Sequence, residues 1–449
     1  MKNLQYRSTQ TQVKHEVLAR YLDTWGGIIA NGLCHAKRQS VWQFIYVDCF
    51  AYKGKYIGDQ ENIFRHHEPS GPVYGSPIIG IQALDKLAVY AAKLGLQVVT
   101  NTILIEKDLA HYLDLQAVLQ ECSFDKRVQE TLDFSILHNG EISLVNRDAT
   151  TLGHKLTSYT DRPGVWTFYL IDPYGPSGIP YDFVKEIVNG ARHDVMINFI
   201  YEDLVRKTGM ALNKDLEPKH IRLVEYWKNA YGSARWDQIV VKTLVDIRDH
   251  CYWRDVLGGI PLDDMEDEVF MTDEKLADAK ERAFVYGYQQ TLASMDPDIA
   301  IKLSALQFPD KDRTMFYLFL TTHDPTGALA LNQILAEARY LEFELRYKFN
   351  TLRSIPRGQM SLWDPVQSVP KPPVEERPAT EMIAYEIYQR LQGKVLTRKE
   401  VYICVADSLF FPSEIDSALK LLKKQGKLLF DGIQLTHRTE MRFSVKSID

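Results

Sequence analysis

Apolar positions recur along this chain with two alternating periods. Over residues 14–29, Val17, Leu18, Tyr21, Leu22, Trp25, Ile28 and Ile29 fall three and four apart, which places them on one face of an α-helix. The next apolar stretch, Phe44-Ile45-Tyr46-Val47, is unbroken and ends at Asp48. Short continuous runs of this kind suit strands covered on both faces. The two patterns then take turns: helix is predicted over 77–94, 108–119 and 181–188, and strand over 103–105, 142–145, 166–171 and 195–200. Strands alternating with helices predict a doubly wound, Rossmann-like α/β core.

The second half is less regular. Residues 202–310 hold Trp227, Trp236 and Trp253 and a predicted helix over 273–293, and are expected to form a helical insertion or cap. A strand over 315–320 and a helix reaching 347 return to the core pattern. The predicted division is therefore 1–201 for the first part of the core, 202–310 for the insertion and 311–353 for the last core strand and helix. Residues 354–380 carry Pro356, Pro365, Pro370, Pro372, Pro373 and Pro378 and are expected to be a linker, because proline fixes φ and removes backbone donors. In 381–449, Met382, Ile383, Tyr385, Ile387 and Leu391 outline a first helix. Thr397 with Glu400 has capping-box spacing for a second, and Ser413 opens a third. A hairpin over 427–435 completes a winged helix-turn-helix pattern.

Composition narrows the function classes. With 59 acidic and 53 basic residues the net charge is −6, so contact with nucleic acid is expected only through a local basic patch. The 5 cysteines, Cys34, Cys49, Cys122, Cys251 and Cys404, are scattered and form no Cys-x-x-Cys pair. That argues against a disulfide framework, a zinc site or an iron–sulfur cluster held by this chain alone, and no metal site is expected. The start of the chain lacks an apolar signal core, and no apolar run approaches the roughly 18 residues that span a bilayer. A cytoplasmic protein without a membrane partner is the expectation.

A doubly wound sheet binds its ligand outside the carboxyl ends of its strands. Acids stand there in order: Asp48, Glu106, Asp148 and then Asp172-Pro173-Tyr174-Gly175. The order suits S-adenosylmethionine. Phe50, Ala51 and Gly54 form a turn that lets backbone approach a ligand beside Asp48. Glu106 is placed to accept from ribose hydroxyls, and Asp148 from the adenine amine. Asp172, Pro173 and Tyr174 would form the catalytic turn, the acid accepting from a substrate amine while the ring stacks on a flat base. Singly, each piece is more simply a helix cap or a turn. Their succession points to a class I methyltransferase type of sheet, and the absence of Gly-x-Gly-x-x-Gly after the first strand disfavours a nicotinamide dinucleotide site.

These residues together resemble the three-Cys-motif partner proteins (TcmP family), a bacterial group with a methyltransferase-like fold. The resemblance covers most of the chain. It runs through Lys14, Leu18, Tyr21, Leu22 and Trp25, then Asp48, Phe50, Ala51, Gly54 and Tyr56, then Gly75-Ser76-Pro77 and Ile105-Glu106-Lys107-Asp108. It continues through Ile171-Asp172-Pro173-Tyr174-Gly175 with Gly178 and Pro180, Asn198-Phe199, and Thr322-His323-Asp324-Pro325 with Gly327. It implies a partner with three clustered cysteines, similar to proteins that hold an iron–sulfur cluster for radical chemistry, and a winged-helix tail. One departure stands out: Tyr52 occupies the place of the first glycine of the family's Asp-x-Phe-Ala-Gly-x-Gly turn. A phenol ring there projects where the methionine end of the cofactor would approach. Lys53 and Lys55 beside it suit either an anionic ligand or plain solvation.

Two further groups have double readings. His323 suits a general base or orienting donor, or simply the turn that starts a helix. Lys399, Lys420, Lys423 and Lys424, with Lys427, suit contacts with DNA or RNA phosphates, although Glu400, Glu414 and Asp416 interrupt them and winged helices also bind proteins. Two functions compete. One is an S-adenosylmethionine-dependent methyltransferase acting on a nucleic-acid base amine. The other is a catalytically degenerate methyltransferase-fold adaptor of a three-cysteine protein.

Overall fold

The structure, a computed structural model, describes residues 5–34, 41–60, 73–205, 218–241, 273–354, 377–430, 435 and 439–444. The first half alternates helices and strands: α1 (Thr9–Leu33), β1 (Trp42–Asp48), β2 (Lys55–Tyr56), β3 (Val73–Tyr74), α2 (Ser76–Lys93), β4 (Val98–Ile105) and α3 (Leu109–Glu121). Next come β5 (Val128–Gln129), β6 (Ile142–Val145), α4 (Gly153–Thr160), β7 (Val165–Ile171), α5 (Tyr181–Val188) and β8 (His193–Phe199). They are followed by α6 (Pro218–Tyr231), α7 (Asp273–Ala293), β9 (Ala300–Gln307), β10 (Thr314–Thr322) and α8 (Pro325–Ser354). The last unit holds α9 (Thr380–Leu391), β11 (Val395–Thr397), α10 (Arg398–Cys404), α11 (Pro412–Lys424), β12 (Leu428–Leu429) and β13 (Glu440–Phe443).

Eight strands form one sheet in the order β5-β6-β4-β1-β7-β8-β10-β9. All neighbours from β5 to β8 are parallel, whereas β10 runs antiparallel to both β8 and β9. Successive side chains point to opposite faces. Ile45 and Val47 of β1 face one core with Ile103, Ile105, Tyr169 and Ile171, and Phe44 and Tyr46 face the other with Leu104, Phe168 and Leu170. Helices α1, α2, α3 and α8 cover the second face, and α4, α5, α6 and α7 cover the first. Local signals fix the helix starts. Ser8 accepts from Thr11 N to cap α1, and Asp108 accepts from His111 N to cap α3, caps that contribute about 1 kcal/mol each. No helix among the described residues is long and apolar enough to cross a membrane.

Within 202–310, the described helices form a layer on the core: Phe199 and Phe319 of the sheet pack against Trp227 of α6 and Tyr288 of α7, with Phe199 stacked 4.6 Å from Tyr288. Burying each such ring stabilises the fold by about 1.5–3 kcal/mol. Residues 300–307 are also sheet. They escape notice because β9 is an edge strand whose Lys302 and Ser304 alternate with apolar residues. Trp253 and residues 355–376, most of the expected linker, lie outside the described residues.

The C-terminal unit has three helices and a three-stranded antiparallel sheet, β11-β13-β12. The capping box of Thr397 and Glu400 is present. Residues 431–434 of the expected hairpin lie outside the described residues; among those described, β12 pairs with β13, and β11 closes the other side. This unit packs on the main body through Leu329 of α8, which joins its core. Lys302 Nζ donates to Ala406 O and Ser408 O, both at 2.8 Å, and Asn332 Nδ2 donates to Ser408 O and Phe410 O.

Candidate functional site

The carboxyl ends of β4, β1 and β7 lie side by side, with Asp48 opposite Leu104 on one strand and Leu170 on the other. Glu106 and Asp172 therefore flank Asp48, each two residues further on. Backbone bonds tie the loops down: Ala51 N to Ile105 O, Cys49 N to Leu170 O, and Glu106 N to Val145 O. Asp48 is fully buried and accepts from the Tyr46 hydroxyl at 3.1 Å and Phe50 N at 3.2 Å. Burial pushes its carboxyl up to about 7, with the Asp172 charge adding to the shift and these hydrogen bonds opposing it.

Glu106 holds the turn after β1. One oxygen accepts from Tyr52 N at 2.8 Å and the other from Asp108 N at 2.7 Å. An ionised carboxylate has about four lone-pair sites, so roughly two remain for a ligand. Tyr52 has φ 51, the left-handed region, which costs a side-chain-bearing residue about 1–2 kcal/mol. Its amide bond to Glu106 and a ring contact with His111 at 4.4 Å hold it there. Gly54, at φ 70, has no room for a side chain, since a Cβ would come within 2.7 Å of Leu115. Lys53 lies 3.5 Å from Asp114 and Lys55 2.6 Å from Glu121, so both lysines face carboxylates.

Asp172 is bound on two sides. Lys14 Nζ donates to its two oxygens at 2.9 and 2.7 Å, and Asn198 Nδ2 donates at 2.6 Å. Pro173 is buried under Gly178, where a Cβ would clash with both Pro173 and Phe50. That packing leaves Tyr174 at the tip of the turn, 88% exposed, with its ring 6.4 Å from that of Tyr52. Asn198 Oδ1 and Gln12 Nε2 are buried without a hydrogen-bond partner among the described residues. Asp48, Phe50, Ala51, Gly54, Glu106, Asp172, Pro173 and Tyr174 are thus brought together.

Asp148 stands one strand further out, after β6, which pairs with β4. It caps the 149–151 turn, accepting from Thr150 N and Oγ1, and pairs with the exposed Lys107 at 2.7 Å. Partial burial opposes its charge, but the Lys107 and Thr150 bonds outweigh it and hold the carboxyl below the usual range. These bonds give Asp148 a capping role beside the adenine contact expected of it. Lys14 and Asn198 are the residues sequence reasoning missed as site members. Lys14 did leave a signal: it sits on the buried stripe with Leu18, Tyr21 and Trp25, where an ammonium needs a partner.

His323 lies at the other end of the sheet, because β10 runs antiparallel and delivers its last residues beside the start of β8. In the C-terminal unit, Lys399, Lys420 and Lys424 are exposed. Lys423 is half-buried, and its Nζ donates to Phe430 O at 2.8 Å and lies over the Phe430 ring. Ser413, Ser417, Lys420 and Lys424 make one exposed stripe along α11. No group of three or more metal-ligating side chains is placed to hold an ion among the described residues.

No family model matches the chain, and no curated protein matches it. Among solved structures, the crystal structure of protein LPL1258 from Legionella pneumophila str. Philadelphia 1, described with the family-model DUF519, is similar over 71% of this chain and 86% of that one. The sequence identity is 12% and the TM-score 0.34. A likeness at that score carries no information on this chain's fold or activity.

Proposed function

We propose that this chain is a methyltransferase of the class I type that binds S-adenosylmethionine outside β1 and β4 and modifies an amine of a nucleic-acid base. One observation carries the reading: an aromatic ring that is almost wholly in water, Tyr174, is held by a buried proline next to the Asp172 carboxylate, beside Asp48 and Glu106. The sheet supports it too. Leaving aside the two-residue edge strand β5, the parallel strands counted from β1 stand in the order 3-2-1-4-5, with antiparallel β10 between the fifth and β9. That hairpin edge distinguishes it from a dinucleotide-binding sheet, and the reversal between β1 and β7 is where such sheets take ligands.

The cofactor supplies a methyl group activated on a sulfonium. The residues fit it in part. Glu106 has acceptor sites left for a ribose diol. Tyr174 stacks on the target base, and Asp172 accepts a hydrogen bond from the amine and orients its lone pair, after Lys14 has moved off the carboxylate. The C-terminal unit is read as a winged helix whose α11 stripe of Ser413, Ser417, Lys420 and Lys424 contacts phosphates.

Calorimetric titration of the full chain with S-adenosylmethionine tests the reading. Saturable binding is expected, weakened at least about tenfold by Glu106→Ala (about 1.4 kcal/mol). Asp172→Asn should retain binding and lose transfer to DNA or RNA oligonucleotides. No heat at millimolar cofactor, with Glu106→Ala indistinguishable from wild type, would sink it. In that case the second reading stands, an adaptor of a three-cysteine iron–sulfur protein. Tyr52 in the cofactor turn and the Lys14 clamp on Asp172 favour it, and co-purification tests it.

A further inference from the structure

The turn after β1 sits between two others, because β1 lies between β4 and β7 in the sheet. Tyr52 in that turn has His111 of α3 on one side, after β4, and Tyr174 on the other, after β7. His111 meets the Tyr52 ring in an edge-to-face contact at 4.4 Å. The Lys53 ammonium, 5.7 Å from the centre of the same ring, is paired with Asp114, three residues after His111, so it too approaches from α3. Helix α3 thus backs one side of the Tyr52 ring. The other side is toward Tyr174, whose ring centre lies 6.4 Å away with a tilt of 38°.

Two features set this pair of rings apart from core packing. Tyr174 is 88% exposed, so its ring is free to turn until it lies parallel to that of Tyr52. Tyr52 holds φ 51 with its amide bound to Glu106. A glycine takes that backbone without cost, and a residue kept there against its preference points to a use for its side chain. Bases in a strand stack about 3.4 Å apart, so a base held between two rings needs them about 6.8 Å apart. The observed 6.4 Å is short of this by about 0.4 Å, which a small outward turn of the exposed ring supplies.

We propose that Tyr52 and Tyr174 form a slot that takes one unpaired nucleic-acid base, Tyr52 being the fixed wall and Tyr174 the wall that closes. This rests on the reading that Tyr174 stacks on the target base, and it adds that the substrate is single-stranded or has that base turned out. A base inside a duplex shows only its edges in the grooves, its two faces being covered by neighbours. A slot with two walls needs both faces free. Asp172, two residues before Tyr174, then meets the edge of the held base. Cofactor and base meet at the transferred methyl, so a ring in this turn borders both ligands.

The test uses the full chain without cofactor and short oligonucleotides carrying one 2-aminopurine, whose fluorescence falls when its faces are stacked. They are offered as single-stranded DNA, single-stranded RNA and duplex DNA, and isothermal titration compares their affinities. Saturable quenching by the chain is expected with a single strand. The duplex, and a strand with an abasic site in place of the 2-aminopurine, should bind at least about tenfold more weakly. Tyr52→Asn removes the ring and keeps a residue that tolerates the left-handed backbone, so it should fold and weaken single-strand binding at least about tenfold. Tyr52→Phe should match wild type, and Tyr174→Ala, at an exposed tip, should weaken binding as Tyr52→Asn does. If Tyr174→Ala weakens binding and Tyr52→Asn does not, the slot is overturned and Tyr174 is a lone stacking ring, as the methyltransferase reading requires. Absence of quenching with either strand, or equal affinity for the duplex or the abasic strand, also overturns it. Failure to bind S-adenosylmethionine would remove the methyltransferase reading and leave this result standing, since no cofactor is present. Whichever single strand binds more tightly identifies the nucleic acid.

Discussion

At the carboxyl end of the sheet, Asp172 is met by the Lys14 ammonium and the Asn198 amide, and Glu106 by two backbone N–H groups. At the amino end, Asp194 is met by the hydroxyls of Tyr21 and Thr322. Burial does not make this difference. Asp48, at the carboxyl end, is as hidden as Asp194, also takes a tyrosine hydroxyl, and is also pushed up to about 7. What differs is the cation. Helix α1 spans both ends and places Lys14 at one and Tyr21 at the other, seven residues and two turns apart. One helix thus sets an ammonium against the carboxylate at the first end and a neutral hydroxyl against the carboxyl at the second.

The sharpest way to break the contrast is Lys14→Met. It removes the cation from a mostly buried pair and leaves Asp172 facing Asn198 alone. Loss of one partner of a buried ion pair costs about 3–5 kcal/mol, and the quarter-exposed Asp172 brings the expectation to the lower end, about 3 kcal/mol. Urea unfolding measures it. Lys14→Met with Asp172→Asn should recover most of the loss, because the stranded charge is gone. A single variant as stable as wild type would show that the pair contributes nothing.

The amino end should answer to pH. The Asp194 carboxyl is raised by burial above its unfolded value, with Tyr21 and Thr322 opposing, Asp324 adding and His323 opposing. Between about pH 4 and 7 the folded chain therefore binds a proton that the unfolded chain has released, so stability falls as pH rises through this window and levels off above it. The slope from one such group is at most about 1.4 kcal/mol per pH unit. Asp194→Asn should flatten the fall in melting temperature from pH 5 to 7 by its share and leave the share of Asp48 in place. An unchanged pH profile would mean that Asp194 carries no raised pKa.

The sequence made the centre of the sheet plain and its margins obscure, for a physical reason. Strands β1, β6, β7 and β8 are buried on both faces, and short apolar runs such as those over 44–47, 168–171 and 195–197 mark them. The middle of β4 is equally buried but carries Thr100, Asn101 and Thr102, whose polarity is met by partners such as His138 O for the Asn101 amide. Edge strand β9 alternates because one side meets the C-terminal unit. The site divides in the same way. Acids at strand ends follow from local pattern. The partners of Asp172 and Asp194 are Lys14 and Tyr21, 158 and 173 residues away in sequence, and nothing local reports such a pairing.

The smallest expected change in stability is the most informative about the carboxyl end. Tyr52→Gly relieves the left-handed backbone by about 1–2 kcal/mol. Against this stand the added freedom of an unfolded glycine, about 0.5–1 kcal/mol, and the lost ring contact with His111. The net effect on unfolding should stay within about 1 kcal/mol of zero. The effect on S-adenosylmethionine affinity should not be small if the ring stands where the methionine end approaches: a gain of at least about tenfold is expected, read by titration against wild type. Unchanged affinity would place the Tyr52 ring outside the cofactor path. It would leave the Lys14 clamp on Asp172 as the remaining barrier at that end of the sheet.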